Sequence, residues 1–213
     1  MKLFLSVLLC ISFSCNAQTI AWKNKSDLPA EGRDDAIAFA INGYGYCVTG
    51  NTFDWNGSNR FFKYDSEKDT WIAVASFPGV SRQYTNVFAI NNKAYLICGA
   101  LSTNEVTREV WCYDSKEDIW VQKNNFPAAA RCGAYSFTID QHGYFGCGQG
   151  VERYSDFWKY DPIDDHWERI ADFPDGGRRE GISFSCGGFG FAGLGVTTFD
   201  DAGHQTKFTN TTL

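Results

Sequence analysis

A spacing that recurs four times constrains this chain more than any other feature. Arg33, Arg82, Arg131 and Arg178 are separated by 49, 49 and 47 residues. Seventeen residues after each stands a glycine (Gly50, Gly99, Gly148, Gly195), and eleven before each a tryptophan (Trp22, Trp71, Trp120, Trp167). The last three tryptophans share a preceding phrase, Tyr64-Asp65, Tyr113-Asp114 and Tyr160-Asp161, with a second aspartate two residues before the Trp. A period near 50 residues means one supersecondary unit that cannot bury its own faces and stacks on copies of itself.

Each unit reads as four short strands. Between Arg and Gly, apolar runs bracket a turn: Ala36 to Ile41, Asn42-Gly43, then Tyr44 to Val48. Val87 to Ile90 and Ala94 to Cys98 flank Asn91-Asn92, and Ser136 to Ile139 and Tyr144 to Cys147 flank Asp140-Gln141. These are hairpin patterns. An aromatic strand follows (Phe61 to Tyr64, Val110 to Tyr113, Phe157 to Tyr160), then a short strand around each Trp. With 16% aromatic residues, 21 glycines and five prolines, the composition agrees with many short strands and tight turns.

The phrases YDSEKDTW, YDSKEDIW and YDPIDDHW, with the FP…R opening and the terminal Gly, resemble Kelch repeats over residues 20 to about 195. The resemblance implies an all-β, Kelch-type β-propeller of four-stranded antiparallel blades, the Arg-led strand innermost and the Trp strand at the rim. A single glycine stands where many Kelch units carry two. The units are about 22–71, 71–120, 120–167 and 167–213, so about four blades are present. Two readings stay open. A strand around Trp22 could complete the last blade, with Thr206 to Asn210 as a degenerate third strand, closing a four-bladed ring. Alternatively, the chain is an incomplete copy of a larger propeller, because the tail from Gln205 lacks the YD phrase; an open arc would then self-associate.

Residues 1–17 read as a signal peptide: Met1-Lys2 is basic, Leu3 to Phe13 is a short apolar run, and Cys15 and Ala17 suit cleavage after Ala17. Neither Cys10 nor Cys15 sits in a lipid-attachment box. The expectation is a secreted or periplasmic domain, residues 18–213, without membrane insertion after signal removal. A net charge of −6 argues against a nucleic-acid partner. Of the cysteines after the signal, Cys47, Cys98, Cys112, Cys132, Cys147 and Cys186, the repeat frame predicts buried thiols, with Cys132 and Cys147 the one pair worth testing as a disulfide.

Function on a repeat scaffold lies where units differ. Arg33, Arg82, Arg131 and Arg178 are binding candidates if they ring an axial pocket, since guanidinium forks suit carboxylates; the stronger reading for a residue repeated in every blade is that it bonds neighbouring loop carbonyls. The tryptophans, the frame glycines and Asp65, Asp114 and Asp161 are structural, the aspartates opening the turns before each Trp. The loops after each Gly vary: Phe53-Asp54-Trp55-Asn56 in unit one, Asn104-Glu105 with Arg108-Glu109 in unit two and Glu152-Arg153-Tyr154 in unit three. Trp55 and Tyr154, aromatics beside carboxylates, suit stacking on a glycan. His142, His166 and His204 have no metal-ligand spacing, and the copper ligands of galactose oxidase, which shares the Kelch propeller, have no counterparts, so no metal or cofactor is expected. The predicted function is a binding module for a protein or glycan through blade loops. The enzymatic alternative is an N-acetylneuraminate epimerase (mutarotase), another exported Kelch propeller, with Asp34, Asp35 and Glu180 near the axis as acid–base candidates.

Overall fold

The computed structural model describes residues 21–103, 105–174, 176–199 and 205–208. The proposed signal segment, Asn104, His204 and residues 209–213 lie outside them. The described residues are all-β. Blade one comprises β1 (Ile37–Ile41), β2 (Tyr44–Val48), β3 (Phe61–Asp65) and β4 (Thr70–Val74). A short strand β5 (Arg82–Gln83) precedes blade two, which consists of β6 (Asn86–Ile90), β7 (Lys93–Ile97), β9 (Val110–Asp114) and β10 (Ile119–Gln122). Between them β8 (Ala100–Leu101) pairs with β5. Blade three is β11 (Tyr135–Ile139), β12 (His142–Gly146), β13 (Phe157–Asp161) and β14 (His166–Ile170). In each blade the four strands pair antiparallel in chain order, giving the four-stranded blades of a β-propeller.

Local chemistry sets the turns. Ile41 pairs with Tyr44 across Asn42 and Gly43, both at positive φ (52° and 81°), which matches the twist of a two-residue hairpin. Asp65 Oδ1 accepts the backbone N–H groups of Glu67 and Lys68, Asp114 Oδ1 those of Lys116 and Glu117, and Asp161 Oδ1 that of Ile163. The second aspartate of each phrase, at positive φ, accepts the tyrosine hydroxyl: Tyr64 on Asp69, Tyr113 on Asp118, Tyr160 on Asp165. It also accepts an N–H from the segment just after the preceding blade, Ala75 on Asp118 and Asn124 on Asp165. One phrase thus closes a turn and ties two units.

Blades stack through aromatic faces. Phe61 of blade one and Phe77, just after that blade, bury with Tyr113 and Leu96 of blade two, and Phe61 meets Tyr113 edge-on at 4.6 Å. Phe88 and Tyr95 of blade two bury with Tyr160 and Trp167 of blade three. Two frame phenylalanines also cover a glycine of the next unit: Phe88 lies over Gly143 and Phe137 over Gly190. The first strands β1, β6 and β11 are successive neighbours. The frame glycines lock the same seams, Gly50 N–H to Arg82 O, Gly99 to Arg131 O and Gly148 to Arg178 O, at 2.8, 3.0 and 2.7 Å.

The last unit departs from the expected pattern. β15 (Ile182–Cys186) and β16 (Phe189–Gly193) form a two-stranded sheet beside β11. Gln205–Phe208 (β18) pairs with Val196–Phe199 (β17), with a bulged register, and not with β16. It therefore supplies no third strand to the last hairpin, because its ladder partner is β17. Trp22 is fully exposed and carries no strand, so the expected outer strand there is absent among the described residues. All six described cysteines are free thiols; Cys186 is exposed, against the expectation of burial, because its sheet has no outer strands over it.

Candidate functional site

The frame arginines do not ring the axis. Arg82, Arg131 and Arg178 are 1%, 1% and 0% exposed. Each donates to the carbonyl sixteen residues on: Arg82 to Cys98, Arg131 to Cys147, Arg178 to Leu194. Arg82 Nη2 also meets Glu109 Oε2 at 2.5 Å, and Arg131 forms a fork on Asp156 at 2.7 and 3.1 Å. Each lies over a Phe ring, Phe77, Phe126 or Phe173. Buried guanidinium groups need such partners, which carbonyls and carboxylates within the unit supply. These three arginines hold loops in place.

Two residues beyond each Arg, the chain does reach the axis. Asp35, Tyr84, Gly133 and Glu180 occupy one frame position in the four units, all at positive φ (54°, 50°, 59°, 56°). Three are not glycine, a backbone strain of the kind that functional positions store. Gly133 N–H donates to Tyr84 O and Glu180 N–H to Gly133 O, both at 2.9 Å, which threads three units together. The four residues line a cavity of about 190 Å³ with Thr85 and Asn86. Burial pushes the Asp35 carboxyl up, a hydrogen bond from Tyr84 partly opposing it. Burial and the Asp35 bond push the Tyr84 phenol up to about 12. Arg179 Nη2 lies 3.2 Å from Glu180 Oε1. Asp35 and Glu180, expected near the axis, do meet there; Asp34 instead lines the outer groove. Tyr84 and Arg179 escaped the sequence reading.

That groove, about 610 Å³, is lined by Arg33, Asp34, Asn51, Thr52, Phe53 and Trp55. Its lip is a tight turn: Thr52 N–H donates to Asn56 O and Trp55 N–H to Thr52 O, both at 2.9 Å. Trp55, at φ 58°, and Phe53 are held outward, 72% and 92% exposed. Asn51 Nδ2 bonds Gln83 Oε1 at 2.5 Å, anchoring the turn to unit two. Rigid aromatics presented beside amide, hydroxyl and guanidinium groups can stack on a ring and bond its substituents. Tyr154 is placed differently. Its ring lies 4.2 Å from the Arg131 guanidinium, which it sandwiches against Phe126, and it borders a groove of about 410 Å³ with Asp156 and Trp158.

No protein-family model and no curated protein matches the sequence. Among solved structures, that of a protein named YjhT superposes with a TM-score of 0.73 at 15% identity, over 87% of this chain and 66% of YjhT. The chain thus spans slightly less than two thirds of the length of that protein, and the likeness carries the propeller fold alone.

Proposed function

We propose that this chain is an exported Kelch-repeat module that binds a glycan through the loop at the head of blade one. The outward presentation of Phe53 and Trp55 over a groove carrying Asn51, Thr52 and Arg33 carries the reading. Their turn is stiffened by three internal hydrogen bonds, so little ordering entropy opposes stacking. The test is a glycan array followed by titration calorimetry on the best hit. Trp55→Ala should weaken binding by roughly tenfold or more, with the thermal unfolding midpoint unchanged because Trp55 packs on solvent. Undiminished binding in Trp55→Ala would remove this loop from the site.

A second reading is supported by the axial cavity: a sugar-modifying enzyme of the N-acetylneuraminate epimerase type. Opening a hemiketal ring needs an acid at the ring oxygen and a base at the anomeric hydroxyl. Asp35, its carboxyl raised by burial, suits the acid; Glu180 is the other carboxylate lining the cavity, and Tyr84 positions Asp35. On this reading the protein accelerates mutarotation of N-acetylneuraminate, followed by NMR of the two anomers, and Asp35→Asn lowers the rate by about 10²-fold or more. A wild-type rate equal to that of buffer rejects it.

A further inference from the structure

Blades two and three neutralise their frame arginine in the same way. The residue just before the third strand is a carboxylate, Glu109 or Asp156, which binds Arg82 or Arg131 and also accepts the indole N–H of Trp111 or Trp158. Blade one breaks this rule. Arg60 stands at that position and Phe62 replaces the tryptophan. Arg33 keeps its carbonyl partners, Thr49 O at 3.3 Å and Arg60 O at 2.8 Å, but its Nε and Nη2 are buried with no acceptor among the described residues. Both guanidinium groups lie over the Phe62 ring, 5.3 and 5.0 Å from its centroid. Two cations share a place built for one cation and one anion.

We infer that a carboxylated saccharide is the ligand of the blade-one groove, its carboxylate docking between Arg33 and Arg60 where Glu109 and Asp156 sit in the other blades. The inference rests on the glycan-binding reading and names its ligand class. Arg33 lines the groove directly. Arg60 is half exposed and held by long contacts, 3.4 Å to Glu31 and 3.3 Å to Pro29 O, so it can swing to admit a ligand at small cost. A ligand carboxylate brings a charge-assisted fork that the exposed Glu31 contact does not match. Glu31 and Asp34 stand at the same place as acidic groups and offset much of the field of the two arginines. Recognition therefore relies on directed donors and selects a single carboxylate over a polyanion. Phe53 and Trp55 take the sugar ring.

The experiment compares a glucuronate-terminated disaccharide with its neutral glucose-terminated counterpart by calorimetry at fixed ionic strength. The wild type should prefer the acid about tenfold. Arg60→Glu restores to blade one the carboxylate of its neighbours: it should abolish that preference and raise the thermal midpoint by pairing Arg33. A preference that survives Arg60→Glu overturns the inference. Equal wild-type binding of both sugars, lost for both in Trp55→Ala, also overturns it while leaving the glycan reading intact. Binding of neither sugar rejects both. Binding of a glutamate-containing peptide in place of either sugar overturns it in favour of a protein ligand.

Discussion

Replacing Arg131 by alanine should destabilise the protein by about 3–5 kcal/mol, the cost of removing one member of a buried ion pair. Nearly every donor of this guanidinium is committed: Nε to Ala129 O at 3.0 Å, Nη1 to Cys147 O at 3.0 Å, and both terminal nitrogens to Asp156. Truncation leaves Asp156 and two carbonyls without it, and opens the slot between Phe126 and Tyr154. Against a total of about 5–15 kcal/mol, that is a large fraction. Urea unfolding measures it, with Arg169→Ala as the reference: its pair with Asp172 is exposed and worth no more than about 1 kcal/mol. A loss in Arg131→Ala as small as in the reference would rule out a stabilising role for the buried network. Acid should weaken the same link. Burial alone would raise the Asp156 carboxyl, but the bonds from Arg131 and Trp158 hold it below its ordinary 3.8. Its folded value is depressed, so its contribution is complete above the unfolded value and is lost as pH falls through the folded one.

The sequence made legible whatever the units repeat. Asn42-Gly43 declares a hairpin because both positive φ values are local requirements, and the tyrosine–aspartate phrases recur because each ties a turn to the adjoining unit. The axial cavity was only half visible for the opposite reason. Its four lining positions share one frame number but carry a carboxylate, a phenol, no side chain and a carboxylate. A search for identical markers passes over Tyr84, whereas the search for variation at a fixed frame position finds it. Arg60 was missed in the same way: its meaning lies in being neither Glu109 nor Asp156. The arginines follow the loop-carbonyl reading and not the axial one: repetition marks a structural part, and burial against Phe77, Phe126 and Phe173 holds Arg82, Arg131 and Arg178 on carbonyls of their own units. Trp22 shares the spacing of its counterparts but lacks the preceding phrase, and it lies fully exposed outside any strand of the described residues.

The stacking of blades, on which every site depends, is tested most sharply by one methyl group. At Gly143 a Cβ would fall on three atoms of the Phe88 ring, and that ring is 2% exposed, packed on Tyr95, Tyr160 and Trp167. With no room to turn, the ring or the whole blade must shift, and Gly143→Ala should cost about 3 kcal/mol, the upper range for overpacking. Gly45 holds the same frame position in blade one, where a Cβ meets only Tyr64 at 3.6 Å or more. Gly45→Ala should therefore be neutral, or stabilising by up to about 1 kcal/mol through the lost freedom of the unfolded chain. Both glycines lie in strands away from positive φ, so backbone strain cannot account for a difference. Phe88→Leu, which shortens the knob, should recover part of the Gly143→Ala loss in a double-mutant cycle. Equal effects at the two glycines, or strict additivity in the cycle, would mean that Phe88 does not seat on blade three, and the blade-to-blade contact inferred from the repeat would have to be redrawn.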